Sequence, residues 1–248
     1  FAPFDTSQDK FFLKADIVYS FKGDDALSEG KISSEDIRKI KNEFHENSKE
    51  DLVHFPAKTP VTSSGKNSFI TLVDRCLQFI QQGHAEKIVP SRSKRFELSE
   101  SLDVIETFNR LCDMYPSAMI SLVSIPHVGT WMGATPELLV SIDSALCFKT
   151  TALAGTQIYD TSKDTREVTW TQKEIEEQAL VSRYIINCFK KIRLRDFKEH
   201  GPKTFIAGNL IHLKTDFEAD MVATGFPQLG SQMLSLLHPT SAVCGTPL

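Results

Sequence analysis

The chain has 248 residues, 41% of them hydrophobic and 24% charged, enough to bury a sizeable core as one large domain or two small ones. Its 28 basic and 32 acidic residues leave a net charge of −4, and with a pI near 6.0 there is no broad basic field to favour nucleic acid or an anionic membrane as the main partner. Cysteines at 76, 112, 147, 188 and 244 are widely spaced and form no CxxC pair, which argues against a disulfide framework or zinc ribbon and fits reduced thiols in the cytoplasm.

The opening "FAPFD" lacks a methionine and "LHPTSAVCGTP" lies one residue from the end, so both ends read as cut. "KADIVYSFKG" predicts a strand ending in a turn, and "SSEDIRKIKNEFHEN" a helix with a serine cap and an acidic first turn. "FPAKTPVTSSGKNS" reads as a loop, and its "GKNS" lacks the earlier glycine and the strand-to-helix setting of a phosphate loop. Ser68 is the expected cap of a helix with Phe69, Leu72, Val73, Cys76, Leu77 and Ile80 on one face, closed by Gly83.

A strand is expected at "EKIVPSRSKRFEL", then a helix at "SLDVIETFNRLCDMY". The segments "AMISLVSI", "TWMGATPELLVSI" and "ALCFKTTALAG" read as strands joined by the short turns "PHVG" and "DS", which favours antiparallel neighbours. A long amphipathic helix at "TQKEIEEQALVSRYIINCFKKI" precedes a strand "KTFIAGNLIHLKTDFEA" and a helix "PQLGSQMLSLL". Hairpins interleaved with helices predict an α+β fold of antiparallel sheets layered with helices, and no glycine-rich dinucleotide turn points to a Rossmann domain. The longest apolar-rich runs, such as "MISLVSI", fall far short of the roughly 20 residues a membrane helix needs, and no signal peptide is visible.

Four positions carry candidate chemistry. Lys87 shares a strand face with Val89 and Ser91, and on an inner face its ammonium would be desolvated toward a base near neutral pH. On an edge it would snorkel to water. Glu137, directly before the apolar run Leu138 to Val140, could stay protonated as a general acid or be a solvated turn residue. Gly155 in "TALAGTQ" marks either a close approach of backbone to ligand or a plain turn. Glu177 falls within about 60° of Leu180, Val181, Tyr184, Cys188 and Ile192 on a helical wheel, so its carboxylate needs either a Lys or Arg partner or a metal ion.

"KIVPSRSK", "GATPELLV", "TALAGTQ", "KEIEEQALV", the "IHL" of the later strand and "LHPTSAVCGTP" together resemble, in order, the motifs of the chorismate-utilising enzymes, and specifically those of isochorismate synthases. The resemblance implies that residues 60–248 form the chorismate-binding catalytic domain, lacking its C-terminal segment, and that 1–59 are its variable N-terminal part. It implies a magnesium-dependent isomerase of the cytoplasm that converts chorismate to isochorismate for menaquinone or siderophore synthesis. Under it Lys87 is the base that activates water for attack at C2, and Glu137 the acid that protonates the departing C4 hydroxyl. Gly155, Thr156, His212, Ala242 and Val243 would line the substrate, and Glu177 with Glu174 would hold Mg2+.

Anthranilate synthases usually have Gln in place of Lys87, aminodeoxychorismate synthases Lys in place of Ala154, and salicylate synthases Thr in place of Ala242. The resemblance therefore favours isochorismate synthase over these sisters. Pro90 departs from the family's usual aliphatic residue before Ser-Arg, a departure that bears on strand geometry. Because further substrate and metal residues follow the last motif in the family, this length of chain is expected to be a piece that cannot catalyse alone.

Overall fold

The structure is a computed structural model and describes residues 18–22, 25–29, 35, 38–39, 63–97, 102–162 and 164–246. Two compact units divide the chain, Phe1–His54 and Phe55–Leu248. In the first, strands β1 (Val18–Lys22) and β2 (Asp25–Glu29) form an antiparallel hairpin with Lys22 opposite Asp25. The expected strand at 14–23 coincides with β1 over 18–22. Most of the helix expected at 33–47 lies outside the described residues.

The second unit begins with helix α1 (Lys66–Gln81), which starts two residues before the expected Ser68 cap. Gly65 occupies the cap position with extended backbone and offers no side-chain acceptor, so Ser68 lies inside the first turn. Phe69, Val73, Cys76 and Ile80, at helical spacing, are its half-buried stripe. Gly83 follows the helix with φ +76, a left-handed turn that a glycine takes without strain.

The strand expected over 86–98 is much shorter. Only β3 (Lys87–Ile88) forms, paired antiparallel with β10 (Gly245–Thr246). Pro90 has no N–H for a ladder, and the segment beyond leaves the sheet, with Arg92 stacked over the Phe69 ring at 5.4 Å. Here the departure at Pro90 has its structural consequence.

Helix α2 (Val104–Met114) is capped by Asp103, whose Oδ1 accepts from the Glu106 N–H at 2.8 Å. Strands β4 (Met119–Ile125) and β5 (Gly129–Thr135) pair antiparallel around the predicted "PHVG" turn. The "TWMGATPELLVSI" run then breaks at Pro136, and only β6 (Ser141–Ile142) rejoins a sheet.

The main sheet has the order β6-β7-β9-β8, with every neighbouring pair antiparallel. It contains β7 (Cys147–Ile158), β8 (Lys198–Ala207) and β9 (Leu210–Asp220). The run expected as one strand at 203–219 is thus a hairpin, turned at Gly208 (φ +62) and Asn209. Alternation along β9 sends Ile211, Leu213, Thr215, Phe217 and Ala219 into the core and the intervening residues to the other face.

Helix α3 (Gln172–Lys191) lies against β7 and beside α4 (Leu229–Leu237). Its buried stripe of Gln178, Val181, Ile185, Cys188 and Phe189 meets Phe148, Ala152, Phe217, Met233 and Leu237 in one core. Phe189 packs edge-on to Phe148 and Phe217, with ring centroids 6.1 and 6.0 Å away. The observed fold is therefore the α+β arrangement of antiparallel sheets and helices expected from the sequence. Among the described residues no helix is long and apolar enough to cross a membrane.

Candidate active site

Lys87 is carried by the shortest of scaffolds. Its two-residue strand is held by Gly245 opposite Ile88 and Thr246 opposite Lys87, with the Val89 N–H donating to the Cys244 carbonyl at 3.1 Å. The side chain is only 11% exposed, and its ammonium reaches Glu177 Oε1 at 3.4 Å. Among the described residues that buried Nζ makes no hydrogen bond, so its contact with Glu177 is an ion pair by distance alone.

Glu177 lies on the second turn of α3, at the margin of the buried stripe, with a side chain 37% exposed. The burial pattern corrects the helical-wheel expectation. The true stripe is centred on Val181, Ile185 and Cys188, and Gln178 rather than Glu177 points into it. Gln178 is 2% exposed, and its Nε2 donates to the Ala152 carbonyl and to Thr215 Oγ1, both at 3.1 Å. It pins α3 to β7 and β9 directly beside Glu177. A wheel centred one residue further on would have found it.

Glu137 sits where the chain leaves β5. The Thr151 N–H donates to the Leu138 carbonyl at 3.1 Å, and Thr150 Oγ1 donates to the Leu139 carbonyl at 2.6 Å, so this segment runs beside the middle of β7. Burial pushes the Glu137 carboxyl up to about 7, against the opposing pull of the Lys87 charge. A carboxyl so placed holds its proton near neutrality, and among the described residues the cation acting on it is the lysine that Glu177 also touches.

Gly155 is the bulge residue of β7, where the register with β9 shifts between Ala154 and Thr156. With φ +68 it lies against the first turn of α3, and a Cβ there would stand 3.3 Å from Glu174 Cβ. Past the bulge, Thr156 pairs with His212, and Thr156 Oγ1 is 3.1 Å from His212 Nδ1. Burial lowers the His212 imidazole, opposed by a hydrogen bond with the Gly155 backbone.

Glu174 does different work. Its Oε2 accepts from the Thr171 N–H at 2.7 Å, Thr171 Oγ1 at 2.9 Å and Gln157 Nε2 at 2.9 Å, completing a capping box at the start of α3. These donors hold its pKa below the usual carboxylate range. That oxygen is committed to the helix end, and Glu177 is committed to Lys87. No group of three or more His, Cys, Asp or Glu among the described residues could hold a metal ion, so these residues do not make a complete magnesium site.

Ala242 packs against the main core, whereas Val243 is 44% exposed. A separate cavity of about 450 Å³ opens between α3 and the β8–β9 hairpin, lined by Trp170, Ile175, Gln178, Arg183, Glu199 and Leu213. None of the site residues expected from the sequence lines it.

Lys87 is buried on β3, and its charge opposes the effect of burial on the Glu137 carboxyl, so the two groups act on each other within one fold. The chain belongs to the chorismate-binding enzyme family, whose sequence model matches residues 4–248. No curated protein matches it significantly. Among solved structures, it is similar to a protein described as the 2,3-dihydroxybenzoate-specific isochorismate synthase DhbC of Bacillus anthracis. That similarity has a TM-score of 0.64 and 23% identity, over 76% of this chain and 53% of that one. It is also similar to MenF, the menaquinone-specific isochorismate synthase of Escherichia coli, with a TM-score of 0.70 and 18% identity, over 98% of this chain and 58% of that one. At these identities the likeness is one of fold, and the chain spans little more than half the length of either neighbour.

Proposed function

We propose that this chain is the Lys87- and Glu137-bearing part of an isochorismate synthase, which converts chorismate to isochorismate. The observation that carries the reading is the buried Lys87 side chain whose charge acts on the Glu137 carboxyl, itself pushed up to about 7 by burial, in a chain of the chorismate-binding enzyme family. Exchanging a C4 hydroxyl for a hydroxyl at C2 requires water to lose a proton and the leaving oxygen to gain one. Lys87 serves as the base only after its ammonium releases a proton to solvent; the neutral amine then accepts the proton of the attacking water, and Glu137, still protonated near neutral pH, delivers one to the departing oxygen. The Thr156–His212 pair and the Gly155 bulge orient the ring, and Ala242 and Val243 border it. DhbC is described as 2,3-dihydroxybenzoate-specific and MenF as menaquinone-specific, and menaquinone or siderophore synthesis is proposed here as the fate of the product.

Magnesium belongs to this proposal through Glu177, a hard oxygen donor of the kind that ion prefers. When bound it would neutralise substrate carboxylates. One carboxylate already paired with an ammonium is a weak site, and no step is assigned to the metal.

The test is isochorismate formation from chorismate in the presence of magnesium, run on this chain and on a longer chain of the neighbours' length. Lys87→Ala and Glu137→Gln should each abolish turnover in the active form. Anthranilate or salicylate as product would move the assignment to a sister activity.

A further inference from the structure

We propose that Gly245 is a positioning residue for Lys87: its bare Cα lets the strand 245–246 close onto the Lys87 carbonyl, and that backbone contact sets where the lysine side chain can reach. The inference rests on reading Lys87 as the base of the reaction.

Gly245 has φ +122, a conformation L side chains rarely adopt, yet strain is the smaller part of the argument. A Cβ there would fall well inside van der Waals contact with the Lys87 carbonyl oxygen, 2.9 Å from its carbonyl carbon and 3.0 Å from Ile88 Cα. All three atoms are backbone, so no rotamer change can relieve the collision. Gly83 and Gly225 make the contrast, because both have positive φ but nothing within 4 Å of an added Cβ. They serve turns, whereas Gly245 serves a contact.

Neither side of that contact can easily give way. The segment before Gly245 is a tight turn in which the Val243 and Cys244 N–H groups both donate to the Thr240 carbonyl at 3.1 Å, with Ser241 fully buried. On the other side, β3 is two residues long and its ladder ends before Pro90. Among the described residues the Lys87 head group has no hydrogen bond to anchor it, only the 3.4 Å approach to Glu177. Its position is therefore inherited from the backbone, and displacing that backbone displaces Nζ.

Cys244 allows a direct test, because a chain ending at Val243 can be ligated to synthetic peptides spanning 244–248. Three chains are compared: native glycine, Gly245→Ala with L-alanine, and Gly245→Ala with D-alanine, which suits positive φ and places its methyl on the opposite side of Cα. Acetylation of each lysine by an N-hydroxysuccinimide ester is read by mass spectrometry. With L-alanine, Lys87 should label roughly tenfold faster while Lys214, also largely covered, keeps its native rate. The D-alanine chain should label like the native one.

In the form that turns over chorismate, L-alanine should lower kcat about a hundredfold with KM changed less than about twofold, since a misplacement of about 1 Å suffices for such a loss. Equal Lys87 labelling in the L- and D-alanine chains, or a rise shared by Lys214, would overturn the proposal. The labelling needs no turnover. A chain of the neighbours' length that fails to make isochorismate would count against the base reading and leave the positional result standing.

Discussion

The ammonium of Lys87 lies 3.4 Å from the carboxylate of Glu177, and the two are unequally buried, at 11% and 37% side-chain exposure. Removing the glutamate leaves a buried cation without its partner, whereas removing the lysine leaves a carboxylate that water can reach. Glu177→Gln should therefore cost about 2 kcal/mol, less than a fully buried pair because Glu177 is partly solvated, while Lys87→Met should cost under about 1 kcal/mol. Urea unfolding at neutral pH measures both. Equal losses would mean that the burial difference does not govern the pair.

Glu137 gives a dependence on pH with a definite sign. Its folded pKa of about 7 stands above the ordinary 4.5, so the native state holds a proton that the unfolded chain releases first. Below the unfolded value both states are protonated and the group contributes nothing. From there up to about 7 it destabilises the fold increasingly, reaching at most about 3 kcal/mol in alkaline solution. Glu137→Gln should thus match the native protein near pH 4 and exceed it in stability at pH 8, as read by urea midpoints. A general acid must be protonated, so turnover in the active form should fall as pH rises through about 7.

At Gly155 the prediction concerns geometry. Alanine at φ +68 in the β7 bulge is strained, and its methyl would press on Glu174 Cβ and the Glu174 carbonyl at 3.3 and 3.4 Å. Gly155→Ala should cost about 1–2 kcal/mol and disturb the Thr156–His212 pair across the bulge. Histidine NMR would show the second effect as a moved His212 resonance. An unchanged His212 signal would separate the bulge from the pair.

Much of this was legible in the chain itself. Helix α3 announced itself through its long amphipathic period and α2 through its own helical pattern, although neither the Thr171–Glu174 capping box nor the Asp103 cap was read from the sequence. Hairpin turns at "PHVG" and Asp143 fell where short polar links stood between apolar runs. The Gly208-Asn209 turn was overlooked because the runs on either side are continuous in β character, and glycine in a strand can equally mark a bulge, which is what Gly155 proved to be. Strand β3 was overestimated because period-two patterning carries no information about where a partner strand ends. Its partner, β10, is distant in sequence. The capping role of Glu174 and the burial of Gln178 were hidden for the same reason, since a helical wheel shows which residues share a face but not which neighbour covers it.

The last prediction concerns magnesium. Magnesium demands near-octahedral oxygen ligation and surrenders water reluctantly, so a single partly exposed carboxylate should hold it only weakly. Glu174 brings an Oε2 already accepting three hydrogen bonds, and stripping it of them would unravel the first turn of α3. Calorimetric titration of this chain should accordingly give a dissociation constant in the millimolar range or none measurable, and Glu177→Ala should remove whatever affinity there is. Glu174→Ala should leave that affinity unchanged while costing about 1 kcal/mol of stability through the lost cap. Tight binding, or a dependence on Glu174 equal to that on Glu177, would show that the capping box opens to take the ion. A longer chain of the neighbours' length should bind magnesium more tightly and make isochorismate, because its added residues would supply oxygen donors that are not gathered among the described residues.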